Sequence, residues 1–365
     1  MRFKQETERA TPCKGPPCAG ECGVALAEHQ PETTWTLGAR EMPFCSPTAP
    51  RLDAKGHSTT SENVGVLMPE YRLRTYCDGF NLTEQIWEID DGGSARQLGV
   101  TGDRTWRVEQ LATDFAGSNS HKLKLAPGQY FPRMARPYSI RPEASPGSNP
   151  DTSPTFRNAR GTSSGHLHAM IERLEHICRV VHPCVENFDA YGHEVRNLLI
   201  LACTEVEAQC KNIMAANGMV KTWGTKAYAK LAPAMKLGEY QVTLNWYPWL
   251  DPIAPFLGWE PGEMSTQSLP WYRAYNQVKH DRETCFPMAT LQNALFAVIG
   301  SFVMLCAQYG WDFALRDKEG ERAFFQLTGA PTWPAEEIYV LGELKPVLYF
   351  SGATQDEIPS HDEPN

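Results

Sequence analysis

Trp271-Tyr272-Arg273-Ala274-Tyr275-Asn276-Gln277-Val278-Lys279-His280-Asp281-Arg282 stands just ahead of an apolar run from Ala294 to Ala307, and these two stretches decide how the chain is read. The run is apolar but for Gly300 and Ser301, yet it falls short of the about 20 apolar residues that a bilayer crossing needs. It predicts a buried core helix over Met288–Tyr309, with no membrane involved. The tract before it predicts a helix that begins near Ser268, tolerates Pro270 in its first turn and breaks near Pro287. On such a helix, Arg273 and His280 return to one face about 10 Å apart along the axis. A permanent cation and a titratable base on one face suit a phosphate ester, with guanidinium for phosphoryl oxygens and imidazole for proton transfer. The same spacing also describes an ordinary solvated helix face.

Further helices are predicted N-terminal to the tract. Leu167, Met170, Ile171, Leu174, Ile177, Cys178 and Val181 recur at three-and-four spacing over 167–182, ending before Pro183. A longer helix is expected over Phe188–Asn217, with Gly218 as its C-cap and Val195, Leu198, Leu199, Ala202, Val206 and Cys210 on one face. A short helix is placed over Lys226–Lys236. Tyr240, Val242, Leu244 and Trp246 alternate, which predicts a strand or extended arm; a Pro- and aromatic-rich loop follows over 247–267. Ile338–Leu341 and Val347–Phe350 read as short strands.

Residues 1–166 hold more than half of the chain's 28 Pro and 28 Gly and show no sustained apolar period, so they are expected to be irregular. Met134 and Met170 are then candidate initiation sites. The expected organisation is an irregular segment over 1–166, a helical domain over 167–310, an extension packed on it over 311–350, and a disordered acidic tail over 351–365. The net charge is −9, and no segment carries the basic excess of a nonspecific nucleic-acid binder. The N-terminus lacks an apolar secretory segment, and most of the 11 Cys lie in or beside apolar helical patterns. Free thiols in a reducing cytoplasm are therefore expected.

Gly161-Thr162-Ser163-Ser164-Gly165 matches a nucleophile-elbow pattern, but no buried strand precedes it. No phosphate-loop or dinucleotide fingerprint occurs, and neither Cys13, Cys18 and Cys22 nor the histidines at 166, 168, 176 and 182 have metal-ligand spacing. No cofactor and no metal are expected. Glu205 and Glu207 interrupt an apolar helix. They read either as solvated carboxylates paired with a cation such as Lys211, or as carboxylates that orient His280 or Arg273 across the helices.

Arg273, six intervening residues and His280 on a late helix resemble the Arg-x4-6-His motif of the HEPN superfamily. The flanking words extend the likeness: Trp271-Tyr272, Asn276, Lys279-His280-Asp281-Arg282 and Ala289-Thr290-Leu291 resemble uncharacterised bacterial HEPN-like proteins. So do Tyr191-Gly192-His193, Arg196-Asn197-Leu198-Leu199 and Thr204-Glu205-Val206-Glu207 on the earlier helix. The resemblance covers residues 168–310.

It implies an all-α, up-and-down helical bundle with minor β elements, acting as a homodimer that brings two Arg/His pairs together. The implied activity is metal-independent endoribonuclease cleavage. His280 would be general base on a ribose 2′-hydroxyl and Arg273 would stabilise the phosphoryl oxygens, leaving 2′,3′-cyclic phosphate and 5′-hydroxyl ends. Asn276, Lys279 and Arg282 would be RNA contacts, and the setting would be prokaryotic defence or a toxin with its cognate antitoxin. Ala274 departs from the polar residue that follows the Arg in many active members. The alternative is thus a non-catalytic HEPN-like module that binds RNA or a protein partner.

Overall fold

The computed structural model describes residues 69–78, 81–98, 105–107, 120–138, 147–219, 224–262, 264–310, 313, 323–342 and 345–346. Four long helices form its centre: α1 (Pro154–Val180), α2 (His193–Ala216), α3 (Pro270–His280) and α4 (Leu291–Tyr309). The apolar run lies in α4, which is buried on every side and packs against the other three helices. Among the described residues α4 is the one helix long and apolar enough to cross a membrane, and 83% of its apolar window lies inside the protein. Thr290 caps it by accepting from Asn293 N. Its next free amides are used by the loop ahead of α2: Leu291 N donates to Ala190 O at 2.7 Å and Gln292 N to Phe188 O at 3.1 Å.

The expectation of an all-α bundle is overturned by a five-stranded antiparallel sheet. Its strands are β1 (Glu70–Asp78), β2 (Asn81–Ile89), β3 (Ser94–Gln97), β4 (Thr105–Arg107) and β5 (Ser120–Lys122), in the order β4-β3-β2-β1-β5. β1 and β2 pair along their full nine residues, with Leu73 opposite Ile86 and Tyr71 opposite Glu88. Asp90 turns the chain from β2 into β3, its carboxylate accepting from Ser94 N at 2.7 Å. Leu73 packs with Leu123 and Ile338 in a small core of its own. Two further pairs complete the strands: parallel β6 (Gln129–Tyr130) with β9 (Lys345–Pro346), and antiparallel β7 (Gln241–Leu244) with β8 (Phe325–Gly329).

The expected boundary at residue 166 also fails. Leu125, Tyr130, Phe131 and Met134 join the same core as the four helices, as do Phe325, Leu327 and Tyr339 from the C-terminal side. Met134 and Met170, read as candidate starts, are themselves buried in it. α1 begins at Pro154 because Ser153 caps it, its hydroxyl accepting from Phe156 N at 3.2 Å. The first three turns are largely solvated, so no apolar period announces them. The nucleophile-elbow pattern at 161–165 lies within this helix.

Several elements stand where expected. α2 ends at Ala216, with Asn217 rather than Gly218 as its C-cap and Gly218 in the left-handed region just beyond, φ 76°. Strand β7 carries Val242 and Leu244 inward. The 226–236 segment contains two single helical turns, Thr225–Tyr228 and Leu231–Ala234, rather than one helix. Ser268 does not cap α3; its hydroxyl donates to Ser265 O instead. Ile338–Leu341 is no strand: Tyr339 is buried, donating to Met134 O at 3.0 Å and accepting from Phe131 N at 3.1 Å. Val347–Phe350 and the acidic tail lie outside the described residues, as do Cys13, Cys18 and Cys22.

Gly310 closes α4 with φ 93°, against the backbone of residues 147–148. A Cβ there would stand 2.4 Å from Gly147 O and 2.7 Å from Ser148 Cα, so backbone would have to move. Gly310→Ala is expected to cost at least about 2 kcal/mol in urea unfolding, combining strain at positive φ with overpacking. Unchanged stability would show that this approach is looser. A second check concerns the thiols. Burial raises the pKa of the Cys178 thiol to about 11 and drives those of Cys203, Cys210 and Cys306 higher still. Among the six described free cysteines, half-buried Cys184 and Cys285 are expected to react first with a maleimide on the native protein, read by peptide mass mapping.

Candidate functional site

The tract forms α3, and the helical period splits it into two faces. Trp271, Tyr272, Ala274, Tyr275 and Val278 are buried, whereas Arg273, Gln277 and His280 face solvent. Trp271 anchors the inner face. Its indole N–H donates to Pro255 O at 2.8 Å, and its ring lies over Gly300 of α4, where a Cβ would come within 3.4 Å. Arg273 and His280 thus share an exposed face, about 10 Å apart by helical rise. Among the described residues neither side chain has a hydrogen-bond or ion-pair partner. Ala274, about 100° round the helix from Arg273, is fully buried and so lies off the exposed face.

The other candidate site residues divide. Arg282 is exposed beyond the end of α3, in the single turn Arg282–Cys285 that Asp281 caps by accepting from Thr284 N at 3.1 Å. Lys279 donates to the Tyr275 hydroxyl at 3.0 Å, which together with the more distant Glu207 and Cys203 raises its pKa. Asn276 donates back to Tyr272 O at 3.1 Å, a bond within its own helix.

The two carboxylates do not orient Arg273 or His280. Residues two apart on a helix lie about 200° apart around the axis, and these two diverge accordingly. Glu205 faces α1, 3.1 Å from His166 Nδ1, and accepts from Gln209 Nε2 at 3.2 Å. Glu207 does reach α3, but at a tyrosine: the Tyr272 hydroxyl donates to it at 2.7 Å, with Thr225 Oγ1 3.4 Å away on the same hydroxyl. Burial first, and then the Glu207 carboxylate, push the Tyr272 phenol well above its ordinary pKa. This polar link fixes the rotation of α3 against α2. It escaped the sequence reading because spacing within α3 does not show which side chain of α2 its tyrosine meets.

Two aromatic groups were also missed. Tyr191 meets Phe286 edge to face at 5.6 Å, and His193 lies against the same ring at 5.0 Å. His182 stacks on Trp249 at 4.8 Å, and the Trp249 indole N–H donates to Pro183 O at 2.8 Å. The first group sits where the α1–α2 connection meets the segment between α3 and α4, and the second where that connection leaves α1. Among the described residues no three His, Cys, Asp or Glu side chains converge as metal ligands would.

Tyr272→Phe removes the donor from a part-buried carboxylate and is expected to lower stability by roughly 1.5–3 kcal/mol in urea unfolding. Paired with Glu207→Gln, the combined loss should be smaller than the sum of the two single losses. Strict additivity would show that the two groups do not interact. Comparison with family models, with curated proteins and with solved structures finds no significant match for this chain.

Proposed function

We propose that the chain is a metal-independent endoribonuclease of HEPN type, in which the exposed face of α3 acts together with its counterpart from a second copy. The observation that carries this reading is the pairing of Arg273 and His280 on one solvent face of a helix whose opposite face is locked into the core. A site built on a rigid helix holds its groups with less positional error than one on a loop. His280 takes the proton of a ribose 2′-hydroxyl, the 2′-oxygen attacks phosphorus, and the bond to the 5′-oxygen breaks. The leaving 5′-oxygen takes a proton from the imidazolium of the second copy. Arg273 holds the phosphoryl oxygens while charge develops on them. Arg282 is a further phosphate contact at the end of the helix. Lys279 and Asn276 have polar partners of their own, so their part in binding is smaller.

A homodimer follows from the chemistry, since one Arg and one His supply a single base and a single cation. A cytoplasmic setting accords with the free thiols of the described cysteines. The non-catalytic reading, an RNA- or protein-binding module, differs from this one in a single respect: turnover.

Wild-type protein is expected to cleave RNA in excess EDTA and to leave 2′,3′-cyclic phosphate ends, identified by mass spectrometry. His280→Ala and Arg273→Ala should each lower the rate by about 100-fold or more. Cleavage that requires Mg²⁺, or that survives both substitutions, contradicts the mechanism. RNA binding without turnover would favour the binding module.

A further inference from the structure

We infer that the five-stranded sheet opens as a unit separately from the helical body, and that Trp333, held between two cations, is the latch that keeps it closed. Two described segments join the sheet to the body: 120–131, running on from β5, and 331–342 on the C-terminal side. They are bonded to each other. Lys124 N donates to Glu336 O at 2.9 Å and Gly128 N to Val340 O at 2.8 Å, and β6 pairs with β9 just beyond. Each segment sends residues into both cores. Leu123 and Ile338 pack with Leu73 under the sheet, whereas Leu125 and Tyr339 join the core of the four helices. Among the described elements outside the sheet, the short helical turn Ala335–Glu337 is the one that packs most on it, against β5. The sheet is thus tied to the body through this clasp, and its own core is small. A unit with few buried apolar groups opens at a lower free energy than the main core.

The C-terminal half of the clasp is gripped by charge. The centroid of the Trp333 ring lies 4.5 Å from the Arg136 guanidinium and 4.9 Å from the Lys236 ammonium. Lys236 also donates to Thr332 O at 2.6 Å, and Glu239 accepts from Thr332 N at 2.9 Å. Toward β5, Lys124 pairs with Glu337 at 2.9 Å and His121 stands 3.3 Å from Glu336. A cation holds an aromatic face only within about 6 Å of its centroid. The grip on Trp333 is therefore lost as soon as the segment lifts. Closure also leaves the Trp333 indole N–H buried with no acceptor among the described residues. Lifting the segment lets water bond to that N–H, which offsets part of the cost of opening. Lys236 meanwhile holds a left-handed backbone, φ 50°, uncommon for a residue with a side chain.

Hydrogen exchange of the full chain under native conditions, read by peptide mass spectrometry, tests the latch without reference to RNA. Trp333→Leu keeps an apolar side chain but removes the ring face. It is expected to speed exchange by about 5-fold or more in 331–340 and in β1, β2 and β5 alike, while amides of α2 and α4 stay within about 2-fold of wild type. Lys236→Met keeps the stem, removes the ammonium and should speed the same peptides by about 3-fold; it also carries the test if Trp333→Leu does not fold. Trp333→Phe retains a ring between the cations and should lie between wild type and Trp333→Leu. Faster exchange in 331–340 alone would show that Trp333 does not hold the sheet, and an unchanged profile in Lys236→Met would remove the cations from the latch. Equal acceleration in the sheet, α2 and α4 would show one cooperative unit. Sheet amides that exchange at the unprotected rate in wild type would mean that no closed state exists. Each of these results overturns the inference.

Discussion

Burial of α4 on all sides is the constraint on which the rest depends. A helix with no solvated face must be surrounded, and α1, α2, α3 and the segments 129–135 and 324–327 supply that surround. Leu295, Val298, Val303 and Leu305 are fully buried, and each such side chain contributes on the order of 1.5–3 kcal/mol relative to exposure. Gly300 lets Trp271 lie close against α4, and that contact places α3. One polar link crosses this core, from Gln209 Nε2 of α2 to Ser301 Oγ of α4 at 3.0 Å. The free amides at the start of α4 organise residues 188–190, and through them the position of Tyr191.

The helices were legible because burial there is one-sided or complete, and both conditions leave a mark on apolar spacing. The tract over 271–282 gave its outer Arg and His, whereas its inner stripe of Trp271, Tyr272, Ala274, Tyr275 and Val278 is seen only in the packed helix. The sheet was legible in principle and was missed. Tyr71, Leu73 and Thr75 alternate with Arg72 and Arg74, and Asp78-Gly79 is a hairpin signal, yet the Pro and Gly content of the surrounding region outweighed them. Among the sheet residues whose burial is described only a few are core, so these strands carry short alternation rather than long runs. β8 escaped for a related reason: Phe325 and Leu327 are its only inward positions. The long start of α1 left no apolar signature because, of the side chains it half-buries ahead of Leu167, Phe156 is the one large apolar group beside Ala159, Arg160, Ser163 and Ser164. Long-range partners such as Glu207 with Tyr272, 65 residues apart, are set by packing and cannot be read from spacing.

The site has the same two-sided logic as the helix that bears it. The inner face of α3 is fixed by Trp271, by the Tyr272–Glu207 bond and by the buried Val278, leaving no polar partner on the outer face for Arg273 or His280 among the described residues. Such an arrangement is costly to no part of the fold and is complete for no reaction. One guanidinium and one imidazole about 10 Å apart can grip a phosphate and move a proton, but a balanced cleavage also needs a proton for the leaving oxygen. In the proposed account a second copy meets that need.

A mixed-dimer experiment tests that account most directly. Wild-type and His280→Ala chains with different affinity tags are co-expressed, and the mixed species is isolated through both tags. Its RNA cleavage in EDTA is then compared with that of wild type and of His280→Ala alone. A composite site predicts activity in the mixed species about as low as that of His280→Ala alone, because base and acid are the imidazoles of the two copies. About half of the wild-type activity, or failure of the two chains to associate, would contradict a site shared between copies.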